Sequence, residues 1–110
     1  MGTDNAVIKG TLDMLILKVL SLEPMHGWGI CDRIETLSGA SLCVPQGSLY
    51  ASLHRLVREG WITSAWRATE NGRRARYYAL TRAGTRQLEV ELDHWSRLSR
   101  GVARVVGATT

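Results

Sequence analysis

Apolar residues return along the first part of the chain at helical spacing. Leu12, Leu15, Ile16, Val19 and Leu20 fall on one side, with Lys18 opposite. Pro24 stops this helix, since proline lacks the backbone donor and constrains the residue before it. Met25-His26-Gly27 reads as a short connector. A second helix follows, with Ile30, Ile34 and Leu37 on one face, and Ser38-Gly39 closes it. The third helix runs from Gln46 to Glu59 and ends at Gly60. It turns Leu49, Leu53, Leu56 and Val57 inward and leaves Gln46, Ser48, Tyr50, Ala51, His54, Arg55 and Arg58 on or near its outer face.

The period then changes from 3.6 to 2. Ile62, Ser64 and Trp66 alternate with Thr63, Ala65 and Arg67, and Tyr78 and Leu80 resume a strand pattern after Asn71-Gly72. Asn-Gly predicts a hairpin turn because both residues tolerate positive φ, with Thr69, Glu70 and Arg73 able to join a longer loop. Two strands alone are marginal, so the hairpin must lean on the helices. Trp28, Trp61 and Trp66 are expected in the core, because tryptophan buries so much area. Tyr50 stands open between core packing and an outward contact.

Thr81 caps a fourth helix that extends to about Val105. Leu88, Leu92 and Trp95 step by four and three, Leu98 follows, and after polar Ser99 the pattern resumes at Val102 and Val106. Such a seam predicts a coiled-coil-like surface for a second copy of the chain. The alternative is a helix folded back across its own domain.

The fold class is therefore mainly α with a small β-hairpin: a winged helix-turn-helix of three helices and a two-stranded wing. Residues 1–80 would form the winged unit and 81–110 the dimerisation helix, in one compact body. A chain of 110 residues leaves no room for a second core. A compact third helix suits the major groove of DNA, and a basic wing can meet the flanking phosphates.

Charge sharpens this picture by its placement more than by its sum. The net charge is only +4, but twelve of the fourteen basic residues are arginine. Six of those lie between Arg55 and Arg76, and Arg73, Arg74 and Arg76 are packed just past the turn. Arginine's planar fork suits phosphates and guanine edges. The predicted DNA contacts are Gln46, Ser48, Tyr50, His54, Arg55 and Arg58 on the helix and Arg73, Arg74 and Arg76 on the wing. The predicted dimer seam is Leu88, Leu92, Trp95, Leu98 and Val102.

Other chemistry finds little support. The apolar run Leu12 to Leu22 is too short to span a bilayer and carries Asp13 and Lys18. Without a secretory pattern, the expectation is a cytoplasmic protein with Cys31 and Cys43 reduced. These cysteines and His26 or His54 lack metal-ligand spacing, so neither a metal nor a cofactor is expected. His26 reads as structural. No phosphate loop, nucleophile elbow or paired acidic motif suggests an enzyme.

Six segments in order also resemble the PadR-type transcriptional regulators: Leu12-Asp13-Met14-Leu15-Ile16-Leu17, Met25-His26-Gly27-Trp28-Gly29-Ile30, Gln46-Gly47-Ser48-Leu49-Tyr50 with Leu53-His54-Arg55-Leu56, Glu59-Gly60-Trp61-Ile62, Arg74-Ala75-Arg76-Tyr77-Tyr78 and Leu80-Thr81-Arg82-Ala83-Gly84. The length resembles the short subgroup with a single carboxy-terminal helix. Pro45 and Ala51 depart from the pattern, standing where relatives usually carry a serine-like cap and a proline. The resemblance implies a homodimeric regulator of a two-fold symmetric DNA site, a repressor released by a small-molecule inducer. It also implies that Trp95 flanks a cavity for flat aromatic ligands; otherwise Trp95 is a packing anchor of the seam. The competing class is a winged-helix protein-interaction module, against which the charged wing tip argues.

Overall fold

The computed structural model describes residues 3–109, with side chains described from residue 11 onward. Its elements run α1 (Thr3–Leu22), β1 (Met25–His26), α2 (Gly27–Leu37), α3 (Gln46–Arg58), β2 (Ile62–Ala68), β3 (Arg74–Leu80) and α4 (Arg82–Val106). Four helices and a small antiparallel sheet make a winged helix, as the change of period predicts. The sheet has three strands rather than two, in the order β1-β3-β2. The predicted connector at Met25 is the third strand, with Met25 opposite Tyr78 and His26 opposite Tyr77. A two-residue strand has no alternation to betray it.

Helix α1 is the centre of the fold. Leu12, Met14, Ile16, Leu17, Val19 and Leu20 are all buried, because the other three helices and β3 pack around it. The core adds Ile30 and Ile34 from α2, Leu49, Leu53 and Leu56 from α3, Ile62 and Tyr78 from the sheet, and Leu88 from α4. Leu37 departs from expectation. It is exposed at the last position of α2, where the helix has run past the core.

Local chemistry fixes the joints. The Gly29 N–H donates to His26 Nδ1 at 3.0 Å, which caps α2 and gives His26 the structural role expected of it. The Gly84 N–H donates to Thr81 Oγ1 at 3.0 Å, so Thr81 caps α4 as predicted. Thr81 in turn donates from its own N–H to the Trp61 carbonyl at 3.1 Å and from its hydroxyl to the Gly60 carbonyl at 2.8 Å. This network presses α4 so closely onto the β2 approach that a Cβ at Gly84 would collide with the Trp61 carbonyl.

Candidate nucleic-acid interface

Helix α3 buries Leu49, Ser52, Leu53 and Leu56 and turns the opposite stripe outward. Gln46, Gly47, Ser48, Ala51, His54 and Arg58 are all exposed. At 100° per residue, Gly47, Ala51, His54 and Arg58 define the outermost line, with Gln46 and Ser48 flanking its first turn. Small side chains at the amino-terminal half let that part of the helix approach a surface closely. Pro45 is the N-cap and supplies no side-chain acceptor. The first-turn N–H groups therefore suit an external anion such as a DNA phosphate.

Arg55 is exposed on α3, and its side chain also has a partner within the fold. Its guanidinium turns toward α1, where Nη2 donates to Asp13 Oδ1 at 2.6 Å and to Ser52 Oγ at 3.3 Å. The bond to Asp13 and that carboxylate's charge raise the Arg55 pKa further above its already high range. Val57 departs from expectation: it is exposed on the side of α3 that faces the wing. Tyr50 takes neither of its two expected roles alone. Its ring is partly exposed, and its hydroxyl lies so close over Gly27 that a Cβ there would sit 2.8 Å away.

The wing closes through a loop from Thr69 to Arg73. The Gly72 N–H donates to the Thr69 carbonyl at 3.0 Å, and the Thr69 N–H to the Arg73 carbonyl at 2.6 Å. Gly72 alone in this turn has positive φ, at 83°. Asn71 therefore does not take the left-handed conformation that the dipeptide suggested, because the longer loop needs only one such residue.

The tryptophans overturn the core assignment. Trp28 is 63% exposed and Trp66 55%, while only Trp61 packs against the core. The strand geometry explains Trp66: the core covers the inner face of β2 only at Ile62, and Ser64 and Trp66 continue beyond it. Trp28 and Trp66, with Tyr50, His54, Val57 and Arg76, line an open cleft of about 570 Å³ between α3 and the wing. Trp28 stacks on His26 at 4.0 Å between ring centroids, and His26 meets Tyr77 edge-on at 5.2 Å. Burial pushes the Tyr78 phenol up, with the nearby Arg76 charge opposing that rise.

The arginines divide into two groups. Arg33, Arg55 and Arg97 pair with Glu23, Asp13 and Asp93. Among the described residues, Arg58, Arg67, Arg73, Arg74 and Arg76 have no carboxylate partner, and neither do Arg82, Arg86, Arg100 and Arg104 of α4. Arg74 and Arg76 lie over Trp66 at 5.7 and 5.4 Å from its ring centroid, and Arg67 lies over Tyr77 at 4.4 Å. A surface of unpaired arginines beside an exposed helix face matches what a phosphate backbone requires.

The sequence profile of the "Transcriptional regulator PadR-like family" matches residues 16–90. The chain belongs to this family. It is a DNA-binding transcriptional regulator with the PadR-like winged-helix fold. The chain is similar to a PadR-like transcriptional regulator from Bacillus cereus, with 27% identity, a TM-score of 0.81 and coverage of 94% of this chain and 99% of that one. It is also similar to a PadR family regulator from Eggerthella lenta, with 27% identity, a TM-score of 0.77 and coverage of 94% and 88%. An uncharacterized 37.1 kDa protein in a Streptomyces fradiae transposon is 40% identical over 86 residues, which are 78% of this chain but only 23% of that protein.

The remaining feature of this PadR-like chain is α4. Leu88 is buried in the chain's own core, so the predicted seam loses its first member. From Leu92 onward the apolar stripe emerges: Leu92, Trp95, Leu98, Val102, Val105 and Val106 are all exposed. Trp95 and Leu98 border a groove of about 490 Å³ against Thr11 and Met14 of α1. Cys31 and Cys43 are free thiols, and burial raises the Cys31 pKa. No group among the described residues clusters as a metal site, and no described helix is long and apolar enough to cross a membrane.

Proposed function

We propose that this PadR-like regulator works as a homodimeric repressor of a two-fold symmetric operator. The observation that carries the reading is the pairing of an exposed α3 face with a wing whose arginines have no carboxylate partner among the described residues. Gln46, Ser48, His54 and Arg58 read base edges in the major groove, with Tyr50 approaching from the cleft. Arg73, Arg74 and Arg76 hold the flanking phosphates. Arg55 is reassigned to positioning α3 against α1. The exposed stripe on α4, from Leu92 through Val102, buries against a second copy; a contiguous apolar patch of this kind marks an interface. Two copies related by a two-fold axis present two reading helices to two half-sites.

Release by a small-molecule inducer fits the groove beside Trp95, where an indole ring and Leu98 offer flat apolar contact. A wing surface of unpaired cations disfavours the protein-interaction alternative, since interface centres are depleted in charge. A nuclease footprint on DNA flanking the chain's own gene tests the reading. The expected result is a pair of protected half-sites whose centres lie about one helical turn, or a multiple, apart. Protection without any sequence preference would reject the repressor.

A further inference from the structure

A tryptophan that is more exposed than buried on a monomer surface needs an explanation, and Trp66 has one in its neighbours. On the cleft face of the wing, Arg76 is its direct cross-strand partner and Arg74 lies one pair further along. Both guanidinium carbons are within 6 Å of the indole centroid, at 5.4 and 5.7 Å. Arg76 is held a second time, by its Nε–H donating to Ser64 Oγ at 3.1 Å. Neither arginine is paired with a carboxylate among the described residues, so the indole restrains Arg74, and the indole and Ser64 together restrain Arg76.

We propose that Trp66 is a positioning residue that pre-organises Arg74 and Arg76 for phosphate. A free arginine loses much of its rotamer entropy when it docks on an anion, and that loss weakens binding. A guanidinium lying over an indole has lost part of that freedom beforehand, and its N–H edges still point away from the ring. The same indole holds two arginines, so one side chain sets the spacing of two phosphate contacts. The partner is the sugar–phosphate backbone of double-stranded DNA entering the cleft between α3 and the wing. The proposal rests on the wing's role as a DNA contact and adds the residue that arranges it.

Phosphate contacts are blind to sequence, so a mixed-sequence duplex of fluorescent DNA serves as the probe. Fluorescence anisotropy across a salt series is measured for the full chain and for Trp66→Ala, Trp66→Phe, Arg76→Gln and the Trp66→Ala/Arg76→Gln double variant. Trp66→Ala is expected to bind about tenfold more weakly while keeping the parent's salt slope, because both charges remain. Trp66→Phe falls between the two, since phenylalanine attracts a cation less strongly than tryptophan. Arg76→Gln loses about one unit of slope, and the double variant loses less than the two single losses combined. Parent-like binding by Trp66→Ala, or fully additive losses, overturns the proposal. A parent chain whose binding ignores salt overturns the DNA role of the wing itself, so the two failures are distinct.

Discussion

The guanidinium of Arg55 lies 2.6 Å from the carboxylate of Asp13, which ties the reading helix to the first helix of the fold. Both partners keep some contact with solvent, so the pair is worth at most about 1 kcal/mol. Arg55→Ala and Asp13→Ala should each lower stability by no more than that, and the double variant should cost less than their sum. Urea unfolding of the four proteins measures this coupling. A specific loss at one base pair on Arg55→Ala, with stability unchanged, would return Arg55 to the DNA surface.

At Gly84, α4 runs close against the Trp61 backbone. Alanine there forces a methyl group into the Trp61 carbonyl, and backbone cannot swing aside as a side chain can. Gly84→Ala should lose about 3 kcal/mol, at the upper end of overpacking costs. Gly101→Ala is the control, because a Cβ there meets nothing within 4 Å. Equal unfolding midpoints for the two variants would refute the close approach.

Much of this architecture is legible in the sequence because period and punctuation agree. Helix α3 begins and ends within a residue of expectation, and Thr81 caps α4 as its position suggests. The failures share a cause: periodicity reports which way a side chain points, and not whether anything lies there. Trp66 points to the inner face of a strand that has outrun the core. Val57 faces the same uncovered cleft, and Leu37 lies beyond the end of the packing. Leu88 continues the α4 stripe without a break, yet it is buried in the chain's own core while Leu92 and the later members are exposed. Arg55 shares the α3 surface with Arg58, and only the fold brings Asp13 to it.

Base reading should be separable from phosphate binding on α3. Alanine at Gln46, Ser48, His54 or Arg58 should cost roughly 1–3 kcal/mol at a single position of the operator. Competition against a panel of operators with single base-pair changes identifies that position. A variant that weakens all sequences alike has lost a phosphate contact instead.

The stripe on α4 gives a test of assembly. Leu92→Glu should yield a monomer in analytical ultracentrifugation that is still folded by circular dichroism, because the side chain lies outside the chain's own core. Losing the second half-site should weaken operator binding on the order of a hundredfold and leave non-specific binding in place. A variant that remains dimeric, or a monomer as tight as the parent, would contradict the proposed interface.

The most direct measurement is the salt dependence of duplex binding for the parent and for a variant with Arg73, Arg74 and Arg76 all changed to alanine. Each arginine on a phosphate contributes a little under one unit to the slope of log K against log salt. The parent should weaken steeply as salt rises, and the triple variant's slope should be shallower by about 2 to 3 units. A triple variant with the parent's slope and affinity would contradict the account of the wing as the phosphate-binding arm of this regulator.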